Sequence, residues 1–248
     1  LGQVDPRLPF KVAGALALVS AAYGFFILPE SLAPEKRAPF AWKKANPVGS
    51  LVLLRSHPEL SGLAVALFLM QLAHVALPAV SVLYMSYRYA WTELQVGLTL
   101  AAVGVLSMIV QGALIRPVVS RVGERRALAM GLAFGAAGFL SYGFAATGKL
   151  FLAALPLMAL WGFANPAIQA LMTRHVSGSE QGQLQGANSS LTAIAGLVGP
   201  AIFTQSFAWA IKPGAAFYFP GLPWVIAAAL LALSCAIAWA VTRPGSAR

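Results

Sequence analysis

The chain has 248 residues, of which 59% are hydrophobic and only 10% charged, where an ordinary soluble domain carries roughly 25% charged residues. Seven stretches of 18 to 31 residues, 12–29, 60–87, 94–115, 127–148, 150–173, 181–211 and 213–242, contain no Asp, Glu, Lys or Arg. Because about 20 apolar residues cross the hydrocarbon layer, this pattern excludes a soluble globular domain, a disordered chain and a coiled coil, and argues against a barrel of alternating segments of about ten residues.

The first span is predicted over 8–28. Pro29-Glu30 follows it in place of a small-residue cleavage site, so it reads as a span and not as a signal peptide. A loop over 29–59 carries five prolines and five basic residues. Within it, Asn46-Pro47 has the form of an N-cap followed by Pro at the first helical position. Residues 48–56 then read either as a short helix on the membrane surface or as a basic tether. Six further spans are predicted over 60–86, 94–116, 127–148, 150–173, 183–210 and 220–242. The fold class is thus an all-α membrane protein of seven transmembrane helices. Pro78, Pro156, Pro166 and Pro200 fall inside spans and predict bends.

The aromatics Tyr84, Tyr87, Tyr89 and Trp91 at one junction, and Tyr218 and Trp224 at another, read as headgroup-level anchors. Gly131, Gly135, Gly138, Gly196 and Gly199 read as points of close helix packing. The single cysteine, Cys235, lies in the last apolar stretch, so no disulfide framework exists, and it reads as an inert thiol.

The net charge of +10 is best explained by topology, not by a nucleic-acid partner. Twelve Lys and Arg fall on one side of the alternating spans: Lys36, Arg37, Lys43, Lys44, Arg55, Arg116, Arg121, Arg125, Arg126, Arg174, Arg243 and Arg248. Arg7, Lys11, Arg88, Lys149 and Lys212 fall on the other. The positive-inside rule puts the larger group, and with it the C-terminus, in the cytoplasm. The N-terminus then lies outside, and the expectation is that further spans precede Leu1.

No acidic or basic residue lies in the middle of a span. The candidates at mid-depth are neutral. Gln71 and His74 are three residues apart on one helical face, and His74 is the side chain whose ordinary titration range lies near neutral pH. Trp161, Asn165 and Gln169 recur at i, i+4 and i+8 as one stripe. Amides in hydrocarbon must be hydrogen-bonded or face water, so the stripe either lines a cavity for an amphipathic solute or bonds a neighbouring helix. Gln185, Asn188, Ser189, Thr192, Gly196 and Gly199 form one face that reads as helix packing, with the lining of a cavity mouth as the alternative. His57 and His175 have no evident partners. No metal-spaced His/Cys set, nucleophile–base pair or phosphate-cradling glycine loop is present, so neither an enzyme nor a cofactor or metal site is expected.

Residues 112–128 (Gly-Ala-Leu-Ile-Arg-Pro-Val-Val-Ser-Arg-Val-Gly-Glu-Arg-Arg-Ala-Leu) resemble the C-terminal copy of the cytoplasmic loop signature of the major facilitator superfamily. Gln181-Gly-Gln-Leu-Gln-Gly186, ahead of Ser190-Leu-Thr-Ala-Ile-Ala-Gly-Leu-Val-Gly-Pro200, resembles the tetracycline-resistance branch of drug/proton antiporters. Phe25-Phe-Ile-Leu-Pro-Glu-Ser31 and Ala45-Asn-Pro47 are similar to the same branch. The resemblance implies spans six to twelve of a twelve-helix fold: 1–28 as the last span of the N-terminal half, 29–59 as the central cytoplasmic loop, and 60–248 as the C-terminal six-helix half. It implies a multi-pass inner-membrane exporter of an amphipathic small molecule or drug, exchanging it for protons by alternating access. Its partners would be substrate, protons, the bilayer and the N-terminal half, which would supply any proton-carrying carboxylate. A non-transporting scaffold with the same fold stays open as an alternative. Arg121, Gly123, Arg125 and Arg126 are the loop-signature residues, with Ser120 where the N-terminal copy is acidic. Gln71, His74, Trp161, Asn165 and Gln169 are the expected cavity lining. Gly135 stands where tetracycline exporters carry an aspartate, which argues against tetracycline itself.

Overall fold

A computed structural model describes residues 5, 7–28, 53–54, 58–212 and 218–243. Among them, seven helices are long and apolar enough to cross a membrane. They are α1 (Leu8–Phe26), α2 (Pro58–Tyr89), α3 (Glu93–Val122), α4 (Glu124–Phe144), α5 (Gly148–Thr173), α6 (Gln181–Ala210) and α7 (Leu222–Val241). Their order and number match the predicted spans, with ends shifted by a few residues. The surface-helix reading of 48–56 lies outside the described residues except for Leu53 and Leu54, both buried.

The chain divides into two compact units, Leu1–Pro39 and Phe40–Arg248. In the first, α1 starts with Pro9 in its first turn and ends where the Ile27 N–H bonds the Tyr23 carbonyl. Asp5 accepts from the Arg7 N–H at 2.9 Å and pairs with Lys11 at 3.3 Å.

The second unit is a six-helix bundle. Its packing is dominated by α7 against α2 and α4, by α6 against α2, and by α4 against α5. Burial of apolar area does not drive association in lipid, so close backbone approach must do so. The glycines of α4 show how. A methyl group on Gly131 would stand 2.6 Å from the Ala164 nitrogen, and one on Gly138 would stand 2.9 Å from the Met158 sulfur. Where α4 ends and α7 begins, a side chain on Gly221 would collide with the Gly143 carbonyl oxygen. On α6, Gly199 seats Val75 of α2, but Gly196 faces open space among the described residues. The packing reading therefore holds for Gly199 and not for Gly196.

Two spans are irregular. In α3 a π turn over Val110–Leu114 is closed by the Ile115 N–H on the Val110 carbonyl. It lies just before Pro117, which has no N–H for the carbonyl four residues back. In α5 the helix breaks at Ala154, ahead of Pro156, and tightens to a 3₁₀ turn over Leu160–Phe163, ahead of Pro166.

Two aromatic anchors prove to be core. Tyr84 and Trp224 are both 0% exposed and meet edge to face at 5.6 Å. The Tyr84 hydroxyl donates to the Tyr142 carbonyl at 3.0 Å, and the Tyr89 hydroxyl donates to that of Ala145 at 2.9 Å. These bonds satisfy the two tyrosine hydroxyls inside protein, so the headgroup region is not needed to do it; the buried Trp224 indole nitrogen has no partner among the described residues. Tyr87 and Tyr218 are exposed and share a hydroxyl–hydroxyl hydrogen bond of 3.2 Å.

Candidate functional site

α2 and α5 each carry polar side chains halfway along their length, and the bundle brings them to one cavity of about 610 Å³. Gln71 and His74 enter from α2, Ser107 and Gln111 from α3, Tyr142 from α4, and Trp161 and Asn165 from α5. Met70, Leu77, Val103, Leu155 and Met158 supply apolar wall. His74 and Asn165 face the open space, and neither hydrogen-bonds another described residue. The His74 ring lies against Trp161 with centroids 5.5 Å apart. Pro78 and Pro166 have no N–H to offer the carbonyls of His74 and Gly162, both lining residues. α2 runs unbroken through Pro78, whereas α3 and α5 are irregular where they line the cavity, the setting in which membrane proteins tolerate incompletely bonded backbone.

Trp161 is held from behind. It is 9% exposed and meets Phe139 edge to face at 5.4 Å. A Cβ on Gly135 would come within 2.8 Å of the indole and 2.7 Å of Leu231. The position where tetracycline exporters resembling this chain carry an aspartate is therefore packed by the Trp161 wall.

Four of the five expected lining residues, Gln71, His74, Trp161 and Asn165, border the cavity. Gln169 turns elsewhere: its Oε1 accepts from Asn188 Nδ2 at 2.9 Å, tying α5 to α6. Asn188 is 4% exposed, and its Oδ1 has no partner among the described residues. Gln71 also reaches α6, donating through Nε2 to the Thr192 hydroxyl at 3.0 Å. The polar face of α6 is thus divided: Asn188 is buried against α5, Thr192 is exposed but bonds Gln71, and Gln185 and Ser189 are exposed. Ser107 and Gln111 escaped the sequence reading. The signal was present, since Gln111 is an amide inside an apolar run six residues before a proline.

At the end of the bundle that holds the α7 C-terminus, the loop signature has separate tasks for its residues. Gly123 adopts φ +79°, a left-handed conformation that favours glycine, and turns α3 into α4. Arg125 lies 3.8 Å from the Trp239 ring centroid. It also donates to the Thr242 hydroxyl and the Trp239 carbonyl, each at 3.1 Å. It therefore caps the last turn of α7, where a cation complements the helix dipole. Glu124 pairs with Arg174 at the end of α5. Arg121 and Arg126 are exposed. His175, which the sequence left without a partner, bonds the Leu171 carbonyl through Nδ1 at 2.8 Å; His57 lies outside the described residues. Among the described residues no group of three His, Cys, Asp or Glu could hold a metal ion.

A bundle of apolar spans around a mid-depth cavity defines a multi-pass membrane protein. Residues 1–200 match the Major Facilitator Superfamily, and the chain belongs to that family. It is 33% identical over 93% of its length to the class C tetracycline resistance protein of Escherichia coli, and 33% identical over 93% to the class G protein of Vibrio anguillarum. It spans 57% of the length of each, little more than half. Among solved structures, the human organic anion transporter MFSD10 (TETRAN) superposes with a TM-score of 0.75 at 24% identity, over 95% of this chain and 59% of that one. A variant of the E. coli fucose:proton symporter FucP superposes with a TM-score of 0.68 at 19% identity, over 96% of this chain and 55% of that one. At these identities the two structures show the fold alone.

Proposed function

We propose that the chain is the C-terminal part of a secondary active transporter that exports an amphipathic small molecule from the cytoplasm in exchange for protons. Residues 1–28 are the last span of its N-terminal half, 29–59 the central loop and 60–248 the C-terminal half. The observation that carries this reading is the cavity in which unpartnered His74 and Asn165 stand beside the Trp161 indole. Similarity to tetracycline resistance proteins supports it. So does the position of the cavity, since transporter sites lie near mid-depth between helices.

The lining suits a solute with an aromatic or apolar face and a few neutral polar groups. Trp161 and the aliphatic wall take the face; Asn165, Gln111 and Ser107 orient the polar groups. His74 is the lining side chain whose imidazole can take up and release a proton. Protonating it would place a positive charge beside the bound solute. That links proton arrival to solute affinity, as exchange by alternating access requires. Gln169 acts indirectly, by holding Asn188 and through it the α5–α6 contact.

The test is flux in proteoliposomes that hold the whole transporter, N-terminal half included, under an imposed proton gradient, with a panel of amphipathic drugs that includes tetracycline. We expect gradient-dependent uptake of a panel member, with tetracycline not the preferred one. His74→Ala and Asn165→Ala at equal expression should each lower uptake about fivefold, the worth of about 1 kcal/mol of lost hydrogen bonding. No flux for any compound overturns the transporter reading. Full flux in both variants overturns the cavity assignment alone.

A further inference from the structure

A second concavity, of about 670 Å³, opens at the end of the bundle opposite the α7 C-terminus. It lies between the first turns of α3 and the first turns of α5. Its outer end, toward the span ends, is lined by Trp91, Gln95, Thr147 and Lys149, and its inner end, further along the helices, by the exposed Leu98 and Leu152 with Ala102 and the buried Thr99.

The polar groups at the outer end have lost their acceptors to local bonds. The Gln95 Oε1 accepts from the Thr92 N–H at 2.9 Å in a capping box. The Thr147 oxygen accepts from the Leu150 N–H. What they still offer is a donor each: the Gln95 amide N–H₂ and the Thr147 hydroxyl hydrogen. The exposed Lys149 ammonium adds a full positive charge with no ion-pair partner among the described residues. Trp91 adds an indole N–H, its ring laid over Gly148, where a side chain would stand 2.5 Å away. A rim of donors around a cation is complementary to an anion with several acceptor oxygens.

The inner end has the opposite character. From Gln95 to Ala102 the α3 axis rises about 10 Å at 1.5 Å per residue, and the wall over that rise is Leu98, Ala102 and Leu152. Thr99 spends its hydroxyl on the Gln95 carbonyl at 2.8 Å. The polar-to-apolar axis runs along the helices, from the span ends, where headgroups lie, toward the hydrocarbon.

We propose that this groove binds one anionic phospholipid, its phosphate on Lys149, Gln95 and Thr147 and the upper part of an acyl chain along Leu98, Ala102 and Leu152. The site is separate from the central cavity and does not depend on the export reading.

The experiment is native mass spectrometry of the purified protein, taken from membranes of phosphatidylglycerol and phosphatidylcholine and washed with detergent. We expect one retained phosphatidylglycerol and no comparable retention of phosphatidylcholine. Lys149→Gln should lower retention about fivefold, a single near-surface cation being worth about that factor. Ala102→Trp fills the apolar inner end, leaves the charge in place, and should lower retention as much. Arg88→Gln removes a cation at the same end of the bundle but outside the groove and should leave retention unchanged. Wild-type retention in Lys149→Gln or in Ala102→Trp overturns the proposal. So does an equal loss in Arg88→Gln, which would mean diffuse charge attraction, or displacement of the lipid by glycerol 3-phosphate, which would mean a plain anion site. Thermal melts of each variant separate loss of lipid from loss of fold, and for a variant that melts early, Leu98→Trp provides the same groove-filling test.

Discussion

Trp161 shows how a single side chain is placed by what its neighbour lacks. The indole can form a wall of the cavity because Gly135 on α4 has no Cβ to meet it. Gly135→Ala should therefore destabilise the protein by about 1–3 kcal/mol through overpacking. The measurement is a thermal melt followed by tryptophan emission. An unchanged midpoint with unchanged emission would mean that the indole moves aside freely. His74 and Asn165 were legible in the sequence because a polar group in an apolar run stands out and must find a partner, water or solute. Tyr84 and Trp224 were not. An aromatic with one polar tip is equally at home at the headgroups or in a core that bonds the tip, and the Tyr142 carbonyl decides for Tyr84. Gln169 was ambiguous for a related reason. Its spacing from Asn165 puts it on the same stripe, but Asn188, nineteen residues away, captures its oxygen.

At the scale of elements, the loop signature joins helix ends. Arg125, in the first turn of α4, stacks on Trp239 and bonds the last turn of α7. Arg125→Ala should cost about 1–2 kcal/mol, from the lost cation–π contact and hydrogen bonds. Arg125→Lys keeps the charge but loses the planar fork, and should recover only part of that loss. Thermal midpoints of the two variants against wild type check this; equal midpoints for all three would show that the α4–α7 contact does not depend on the clamp. Pro156 and Pro166 announced bends, and α5 is broken ahead of each; α2 and α6 run as unbroken helices through Pro78 and Pro200, and the π turn of α3 was not anticipated. The kind of irregularity was not readable, because a π turn and a 3₁₀ turn are alternative repairs of the same missing N–H. Which one forms depends on the helix packed alongside.

For the whole molecule, the distribution of cations predicts a cytoplasmic C-terminus. A C-terminal fluorescent-protein fusion should be bright and an alkaline phosphatase fusion inactive. The reverse pair of results would overturn the orientation. The number of spans, their order and their mid-depth polar residues followed from the sequence by itself, because hydrocarbon imposes a length and an apolar content on every span regardless of its neighbours. The loop signature and the glutamine-rich segment of α6 likewise carried the family without coordinates. Only the tertiary structure decided which polar groups face a cavity and which bond each other, which aromatics are buried, and that a donor-rimmed groove lies between α3 and α5. Those outcomes turn on contacts such as Gln71 with Thr192, 121 residues apart. Each polar side chain has several ways to be satisfied, and only the geometry of the packed bundle selects among them.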